Sequence, residues 1–132
     1  MLLAHPERSP AFQANPDRLR ALVDTGTLLQ ITASSLLTPR HSRTGQLARA
    51  LVAEGTAHVI ASDSHGARFK RAGLAEGVGA ATRLAPRRAV WMATEVPEAI
   101  LAGDSLPPAP PEAYLGSLRR RLWSARRSLR TP

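Results

Sequence analysis

Short apolar runs alternate with longer helical segments through the first 104 residues, and glycine or proline separates them. Three runs have the length and content of buried strands, at residues 2–4, 28–32 and 57–61. The first helix is predicted to begin at an Asn15 N-cap with Pro16 and to end at Gly26. An irregular segment is predicted over 33–37. Further helices are predicted over 43–54, around 74–81, over 86–92 and from a Thr94 cap to Gly103. This order favours an α/β fold in which helices join the strands of a parallel sheet.

The absence of cysteine removes several kinds of chemistry at once. Zero Cys in 132 residues excludes disulfides, thiolate zinc sites and a cysteine nucleophile, so His, Asp, Glu and backbone groups must supply any catalysis. The length corresponds to one modest domain, below the ~250 residues of a complete (β/α)-barrel. The chain has no apolar run long enough for a membrane helix, and its first residues do not resemble an export signal. We therefore expect a cytoplasmic protein.

The net charge of +8 is concentrated near the carboxyl end. Residues 105–132 carry six arginines against Glu112, or +5, whereas residues 1–104 carry twelve basic and nine acidic groups. The prolines that open the basic segment restrict φ and remove N–H donors, which predicts a semi-rigid spacer. We therefore expect a body at 1–104, a Pro-rich linker at 105–116 and a basic amphipathic tail at 117–132.

Two polar motifs directly follow predicted strands, where α/β proteins gather their functional groups. H-P-E-R, which begins at His5, follows the first strand, and D-S-H, from Asp63 to His65, follows the third. In an extended segment residues i and i+2 point the same way, so Asp63 and His65 can both face one ion. His5 would add a third ligand if its strand neighbours the Asp63 strand, and Arg8 could hold an anionic oxygen beside the metal. Such donors suit Mn, Fe or Zn in a phosphoesterase.

The same residues also have ordinary structural explanations. Asp63 can cap the following helix, with His65 in a simple turn. His5 can be a buried histidine at the end of a strand, and its neighbours Glu7 and Arg8 can form a surface pair. The two remaining histidines are not candidate ligands, since one lies in a basic loop and the other within an apolar strand: His41 and His58.

Three stretches of sequence together carry a family resemblance. Residues 3–8 (LAHPER), 30–36 (QITASSL) and 58–66 (HVIASDSHG) resemble, in order and spacing, the metal-dependent tyrosine phosphatases of the CpsB/CapC family in the PHP superfamily. The likeness covers roughly residues 2–103 and leaves the arginine-rich tail unmatched. It implies an α/β fold that is the C-terminal portion of a distorted (β/α)7 barrel with parallel strands, followed by a basic C-terminal helix.

The resemblance also implies site residues and a cofactor. It makes three residues metal ligands and catalytic residues: His5, Asp63 and His65. Arg8 corresponds to an arginine that binds the substrate phosphate, and a second such arginine corresponds to Arg68 or Arg71. The implied cofactor is a cluster of Mn ions, or of another divalent transition metal such as Fe, Zn or Co, which activates water for attack on a phosphotyrosine ester. The implied partner is a phosphotyrosine protein, such as an autophosphorylating tyrosine kinase of polysaccharide export, and the implied role is regulation of capsular or exopolysaccharide synthesis.

The chain departs from the family pattern at its beginning. The family opens with an H-x-H strand and supplies glutamate ligands before H-P-E-R, whereas only four residues precede His5 here. We therefore expect the C-terminal part of such an enzyme, with an impaired metal cluster and an uncovered sheet edge and apolar face. Such a part would be incompletely folded, oligomeric or completed by another chain, and we expect it to have little phosphatase activity. Strong metal-dependent turnover of a phosphotyrosine peptide by the purified chain would contradict this expectation.

Two alternatives to a protein-tyrosine phosphatase remain open at this stage. The first is a nonenzymatic remnant or binding module whose basic tail contacts acidic partners such as an anionic membrane or a nucleic acid. Its motivation is an apolar helical stripe surrounded by arginines, although a solvated or docked helix explains the stripe more simply: Leu115, Leu118, Leu122, Ala125 and Leu129. The second alternative keeps the superfamily and changes the substrate to histidinol phosphate or another small phosphomonoester.

Overall fold

Three short parallel strands form the sheet of this protein, in a computed structural model that describes residues 1–65 and 73–111. The strands are β1 (Leu2–Ala4), β2 (Leu28–Thr32) and β3 (Val59–Ala61), in the order β1-β2-β3. The central strand pairs with both neighbours in parallel. All three strands therefore end at the same edge of the sheet.

Helices follow each strand and complete the layer beside the sheet. They are α1 (Pro10–Ala14), α2 (Asp17–Asp24), α3 (Ala33–Leu36), α4 (Arg43–Glu54), α5 (Leu74–Thr82), α6 (Pro86–Val90) and α7 (Val96–Ala102), with a 3₁₀ turn at Pro6–Arg8 and a π-helical turn at Trp91–Glu95. None of the helices within the two described ranges has the length and hydropathy that crossing a bilayer requires. The α/β order and parallel sheet predicted from the sequence are confirmed.

The predicted bounds agree best with the structure where glycine ends a helix. Helix α4 ends before Gly55 at φ 76°, and α7 ends before Gly103 at φ 75°, both in the left-handed conformation that glycine adopts without a Cβ penalty. Strand β2 spans the five residues that the sequence predicts. Strand β3 is two residues shorter at its start than predicted, so His58 precedes the strand.

Other predicted details are wrong because distant parts of the chain decide them. Thr94 does not cap the last helix: it lies within the π-helical turn, where its hydroxyl donates to the Val90 carbonyl at 2.8 Å. The segment predicted to be irregular after β2 forms α3. The Arg49 guanidinium, which reaches back from α4, donates to the carbonyls of Leu36 (3.3 Å) and Thr38 (3.0 Å) as the chain leaves α3. The short helix α1 has no counterpart in the prediction.

The core joins the sheet to α4 and to the segment around the π-helical turn. Leu29 and Ile31 of β2 are fully buried together with Leu51 of α4, and Trp91 and Met92 belong to the same cluster. Alternation along β1 and β2 directs the remaining side chains to the other face of the sheet. The described residues cover that face less completely, since Leu2 remains 45% exposed.

The Pro-rich segment begins against the body. The indole N–H of Trp91 donates to the Pro107 carbonyl at 3.2 Å. The described part of the chain ends at Pro111, so the rest of the predicted linker and the whole basic tail lie outside the described residues. Only the start of the predicted linker is therefore placed, in contact with Trp91.

Helix α5 packs closely against α3 at a glycine. A Cβ at Gly77 would lie 2.7 Å from the Cα of Ala33, which is itself fully buried. Gly79, two residues further along the same helix, is exposed, and a Cβ there would meet nothing within 4 Å. The two glycines therefore occupy the same helix, but only the Gly79 position has room for a larger side chain.

We expect Gly77→Ala to lower the free energy of unfolding by about 1–3 kcal/mol, because the added methyl group forces α3 and α5 apart. The matched control Gly79→Ala should be neutral or raise stability by about 0.5–1 kcal/mol through the higher helix propensity of alanine. Urea denaturation of both variants checks the difference. Equal stabilities of the two variants would show that the α3–α5 contact is not as close as described.

His58 lies at the opposite end of the sheet from the H-P-E-R and D-S-H motifs. Its Nδ1 accepts a hydrogen bond from the Leu29 backbone N–H at 3.3 Å, and its ring lies 6.2 Å from the Trp91 ring between centroids. Burial lowers the pKa of His58, the positive charge of Arg88 lowers it further, and a hydrogen bond with the Thr56 backbone acts in the other direction. The folded state therefore favours neutral His58.

Stability should consequently fall as the pH is lowered through the region between the usual histidine pKa of about 6.5 and the lower pKa of His58. In that interval the unfolded chain binds more protons than the folded chain, so the free energy of unfolding rises with pH, by about 1.4 kcal/mol per unit of pKa difference. His58→Asn keeps an acceptor for the Leu29 N–H and removes the titration. Urea midpoints at pH 5.5 and 7.5 should differ less in this variant than in the wild-type chain; an unchanged difference would contradict the assignment.

Candidate functional site at the carboxyl edge of the sheet

The H-P-E-R motif forms a tight turn at the end of β1. The His5 N–H donates to the Gln30 carbonyl at 2.9 Å, which continues the pairing with β2 by one residue. His5 then adopts φ 38° and ψ 48°, in the left-handed region, where the chain leaves β1 and enters the 3₁₀ turn. The imidazole is exposed. The alternative explanation of His5 as a buried histidine is therefore wrong.

An ion pair links this turn to the D-S-H motif. The Arg8 guanidinium lies 2.9 Å from Oδ2 of Asp63, and the Asp63 side chain is 18% exposed. Arg8 follows β1 and Asp63 follows β3, so this contact spans the end of the central strand. The two motifs, 55 positions apart in the sequence, are thus brought together by an arginine and a carboxylate. Asp63 contacts this arginine, and the segment that it would cap as a helix N-cap, at residues 66–72, lies outside the described residues.

The D-S-H segment is turned rather than extended. Asp63 has φ 52°, in the left-handed region, so the alternation of an extended strand does not bring its side chain to that of His65. Instead the His65 ring folds back, with Nδ1 2.9 Å from the Asp63 carbonyl oxygen and 3.7 Å from Asp63 Oδ1. A carbonyl can only accept, so this contact is a hydrogen bond in the tautomer that carries its proton on Nδ1, and a neutral ring in that tautomer has its lone pair on Nε2. This is the arrangement typical of a metal-binding histidine.

His5 is separated from these two donors by the sheet order. Strand β2 lies between β1 and β3, so the neighbouring strands that the sequence argument requires are not neighbours, and their axes are about 10 Å apart. Within residues 1–65 and 73–111 no three His, Asp or Glu side chains form a group that could hold a metal ion. Asp63 and His65 offer carboxylate and imidazole donors that fit a divalent transition metal, but they are two donors rather than three.

Glu7 is the residue of this region that the sequence argument misses. It is fully buried rather than part of a surface pair with Arg8. Its Oε1 accepts hydrogen bonds from the Thr32 backbone N–H at 3.0 Å and from the Ser35 hydroxyl at 2.8 Å. Both donors are at least 25 positions away in the sequence, so no local spacing signals the contact. Arg68 and Arg71, the alternatives for a second phosphate-binding arginine, lie outside the described residues.

The fold and this edge define an α/β protein in which arginine, aspartate and histidine follow the strands of a parallel sheet. A family model described as "Capsular polysaccharide synthesis, CpsB/CapC" matches residues 1–99. The chain therefore belongs to the CpsB/CapC family. The resemblance seen in the sequence is confirmed over the body of the chain.

Two curated relatives and one solved structure are also similar to this chain. The putative tyrosine-protein phosphatase CapC of Staphylococcus aureus is 44% identical over 64 residues, which are 48% of this chain and 25% of that protein. The tyrosine-protein phosphatase YwqE of Bacillus subtilis (strain 168) is 28% identical over 111 residues, 84% of this chain and 44% of the relative.

The structural match comes from work on YwqE and on CpsB from Streptococcus pneumoniae, described as unique metal-dependent tyrosine phosphatases. It has a TM-score of 0.71 and 26% identity, and covers 86% of this chain and 46% of that one. This chain thus spans less than half the length of the relatives that it matches.

Proposed function

We propose that this chain forms part of a metal-dependent protein-tyrosine phosphatase that acts in capsular or exopolysaccharide synthesis. The observation that carries the proposal is the Arg8–Asp63 ion pair, which joins the H-P-E-R and D-S-H motifs of a CpsB/CapC family member at one edge of the sheet. The family relatives are phosphatases by name, and the chain offers a carboxylate, an imidazole and a guanidinium at this point. These are groups that bind a metal ion and a phosphate.

Asp63 and His65 are the residues that we propose to hold the metal, with His5 as a further ligand on the basis of the family motif. We also propose Mn as the metal and a (β/α)7 barrel as the setting of the three strands, both on the basis of the family resemblance. Further ligands would then come from other parts of that barrel. When bound, a divalent metal would lower the pKa of a coordinated water and polarise the phosphate. His65 would contribute through Nε2 in the neutral tautomer whose Nδ1–H donates to the Asp63 carbonyl.

Arg8 is the residue that we propose to bind the substrate phosphate. Its guanidinium is about one-third exposed and lies directly beside Asp63, so an anion next to Asp63 and His65 would be within reach of its N–H groups. A guanidinium can bind two phosphate oxygens at once, which orients the ester for attack. Arg68 or Arg71 would supply the second arginine. The substrate that we propose is a phosphotyrosine protein, with an autophosphorylating tyrosine kinase of polysaccharide export as the specific partner and a homo-oligomer as the assembly.

We expect Asp63→Asn and His65→Ala each to weaken Mn²⁺ binding by the purified chain about 10–100-fold, because each removes a direct donor. Asp63→Asn is chosen because asparagine also tolerates a positive φ. His41→Ala is the matched control, since His41 is an exposed histidine that belongs to neither the H-P-E-R nor the D-S-H motif. Isothermal titration calorimetry with Mn²⁺ checks the result.

His5→Ala tests the third ligand in the same titration. A loss of Mn²⁺ affinity similar to that of His65→Ala would support a role for His5. Equal affinities for the wild-type chain, the His5 and His65 variants and the His41 control would reject the metal assignment.

Arg8→Ala should weaken the binding of inorganic phosphate to the Mn²⁺-loaded chain by about tenfold or more, because a charge-assisted hydrogen bond pair is lost. Arg8→Lys keeps the charge but not the bidentate geometry, so its phosphate affinity should lie between those of the wild-type chain and Arg8→Ala. Arg20→Ala is the control, since Arg20 is an arginine paired with Glu54 at a distance of 2.6 Å and belongs to α2. Equal phosphate affinity for the Arg8→Ala and Arg20→Ala variants would contradict the proposed role.

A further inference from the structure

The carboxylate of Glu7 is buried in the middle of the H-P-E-R turn, between two exposed functional side chains. Among the described residues it is the only acidic or basic residue that is buried, and its exposure is 0%. His5 precedes it and Arg8 follows it, and both point toward solvent. The phosphatase chemistry proposed for this edge uses these two neighbours and leaves Glu7 without a role.

The Glu7 side chain fastens the turn after β1 to the junction after β2. Oε1 accepts from the backbone N–H of Thr32, the last residue of β2, and from the hydroxyl of Ser35 in α3. The backbone of the same residue is held as well, because the Gln13 amide donates to the Glu7 carbonyl at 2.8 Å and to the Thr44 hydroxyl at 3.1 Å. Residue 7 is therefore fixed to the ends of β2, α1 and α4 at once.

This anchor determines where Arg8 can go. The turn is only three residues long and is closed by the Arg8 N–H on the His5 carbonyl at 3.1 Å and the Ser9 N–H on the Pro6 carbonyl at 3.1 Å. A short 3₁₀ turn with one member fixed leaves the next residue little freedom. Because Glu7 is fixed, the Arg8 side chain leaves the turn toward Asp63, where it forms the 2.9 Å ion pair.

The energetics favour a positioning role over a purely stabilising one. Burying a carboxylate carries a desolvation cost that its hydrogen bonds offset only if both oxygens are satisfied. Oε2 of Glu7 and the hydroxyl of Thr32 are both buried and have no hydrogen-bond partner within the described residues. An apolar side chain of similar volume would fill the same space without this cost, but it would leave the buried Thr32 N–H and Ser35 hydroxyl without an acceptor.

We propose that Glu7 is a positioning residue that holds the His5–Arg8 turn in register with the end of β2, so that Arg8 stays beside Asp63 and the phosphate. The proposal rests on the phosphatase function proposed above for the part played by phosphate. The geometric part, that Glu7 fixes the turn, stands on the contacts alone.

The test compares Glu7→Leu with Glu7→Gln in the full chain. Leucine fills the space but accepts no hydrogen bond, whereas glutamine keeps an oxygen for the Thr32 and Ser35 donors. For the Mn²⁺-loaded protein we expect Glu7→Leu to weaken inorganic phosphate binding about tenfold, and Glu7→Gln to stay within about threefold of wild type. Mn²⁺ affinity should stay within about threefold in both, because Asp63 and His65 are unchanged.

The melting temperature separates positioning from stability. A positioning role predicts that Glu7→Leu loses phosphate affinity at temperatures well below its own melting temperature, where the variant is folded, and that Glu7→Gln recovers it. Wild-type phosphate affinity in Glu7→Leu would overturn the proposal. A loss of phosphate affinity in Glu7→Gln as large as that in Glu7→Leu would also overturn it, because the hydrogen-bond acceptor at residue 7 would then not be what positions Arg8.

A milder pair of variants covers the case in which Glu7→Leu does not fold. Ser35→Ala removes one of the two donors to Oε1, and Ser34→Ala is the control on the same helix, with no hydrogen bond to Glu7. We expect about threefold weaker phosphate binding for Ser35→Ala and no change for Ser34→Ala. Equal affinities of these two variants would overturn the proposal.

Amide exchange distinguishes failure of this proposal from failure of the phosphatase function. If the wild-type chain binds neither Mn²⁺ nor phosphate, the proposed function fails, and the Glu7 anchor is judged by hydrogen–deuterium exchange at Arg8 and Ser9. Ser35→Ala should speed exchange at these two amides severalfold relative to Ser34→Ala, while the amides of α4 keep their rates. Unchanged exchange at Arg8 and Ser9 would overturn the anchor itself.

Discussion

Parallel pairing of β2 with both neighbouring strands is the constraint on which the rest of this structure depends. It directs the carboxyl ends of all three strands to one edge, so two motifs that are remote in sequence open onto the same surface. It also means that β2 lies between the turn after β1 and the loop after β3. A long side chain can bridge that gap, and the Arg8 guanidinium reaches Asp63 across it.

The charges at this edge are arranged by depth. The Glu7 carboxylate is fully buried and is satisfied in part by a backbone N–H and a hydroxyl at the β2–α3 junction. Asp63 is partly buried and paired with an arginine, and His65 is mostly exposed with its Nδ1 proton directed at a backbone carbonyl. The groups closest to solvent are those that can bind a metal or an anion. The deepest one holds the backbone that carries them.

Local chemistry explains why much of the fold could be predicted. Helix α4 ends at Gly55 and α7 at Gly103, where a left-handed residue stops the helix regardless of its surroundings. Strand β2 is a bounded apolar run and has the predicted limits. Helix α3 was not predictable in this way, because its ends depend on Glu7 and Arg49, which come from other parts of the chain. The π-helical continuation through Thr94 likewise has no local stop signal.

The sequence alone determined the α/β class, the family and the candidate residues. The signals for them are local, since each depends on residues close together in the chain: strand and helix periodicity, glycine stops, and the H-P-E-R and D-S-H motifs. The tertiary structure decided which of those residues meet. It placed β2 between the strands that precede His5 and Asp63, turned Asp63 into the left-handed region, brought Arg8 to it and buried Glu7. The physical reason is that strand order and long-range hydrogen bonds depend on packing of the whole chain, and local sequence patterns carry no information about them.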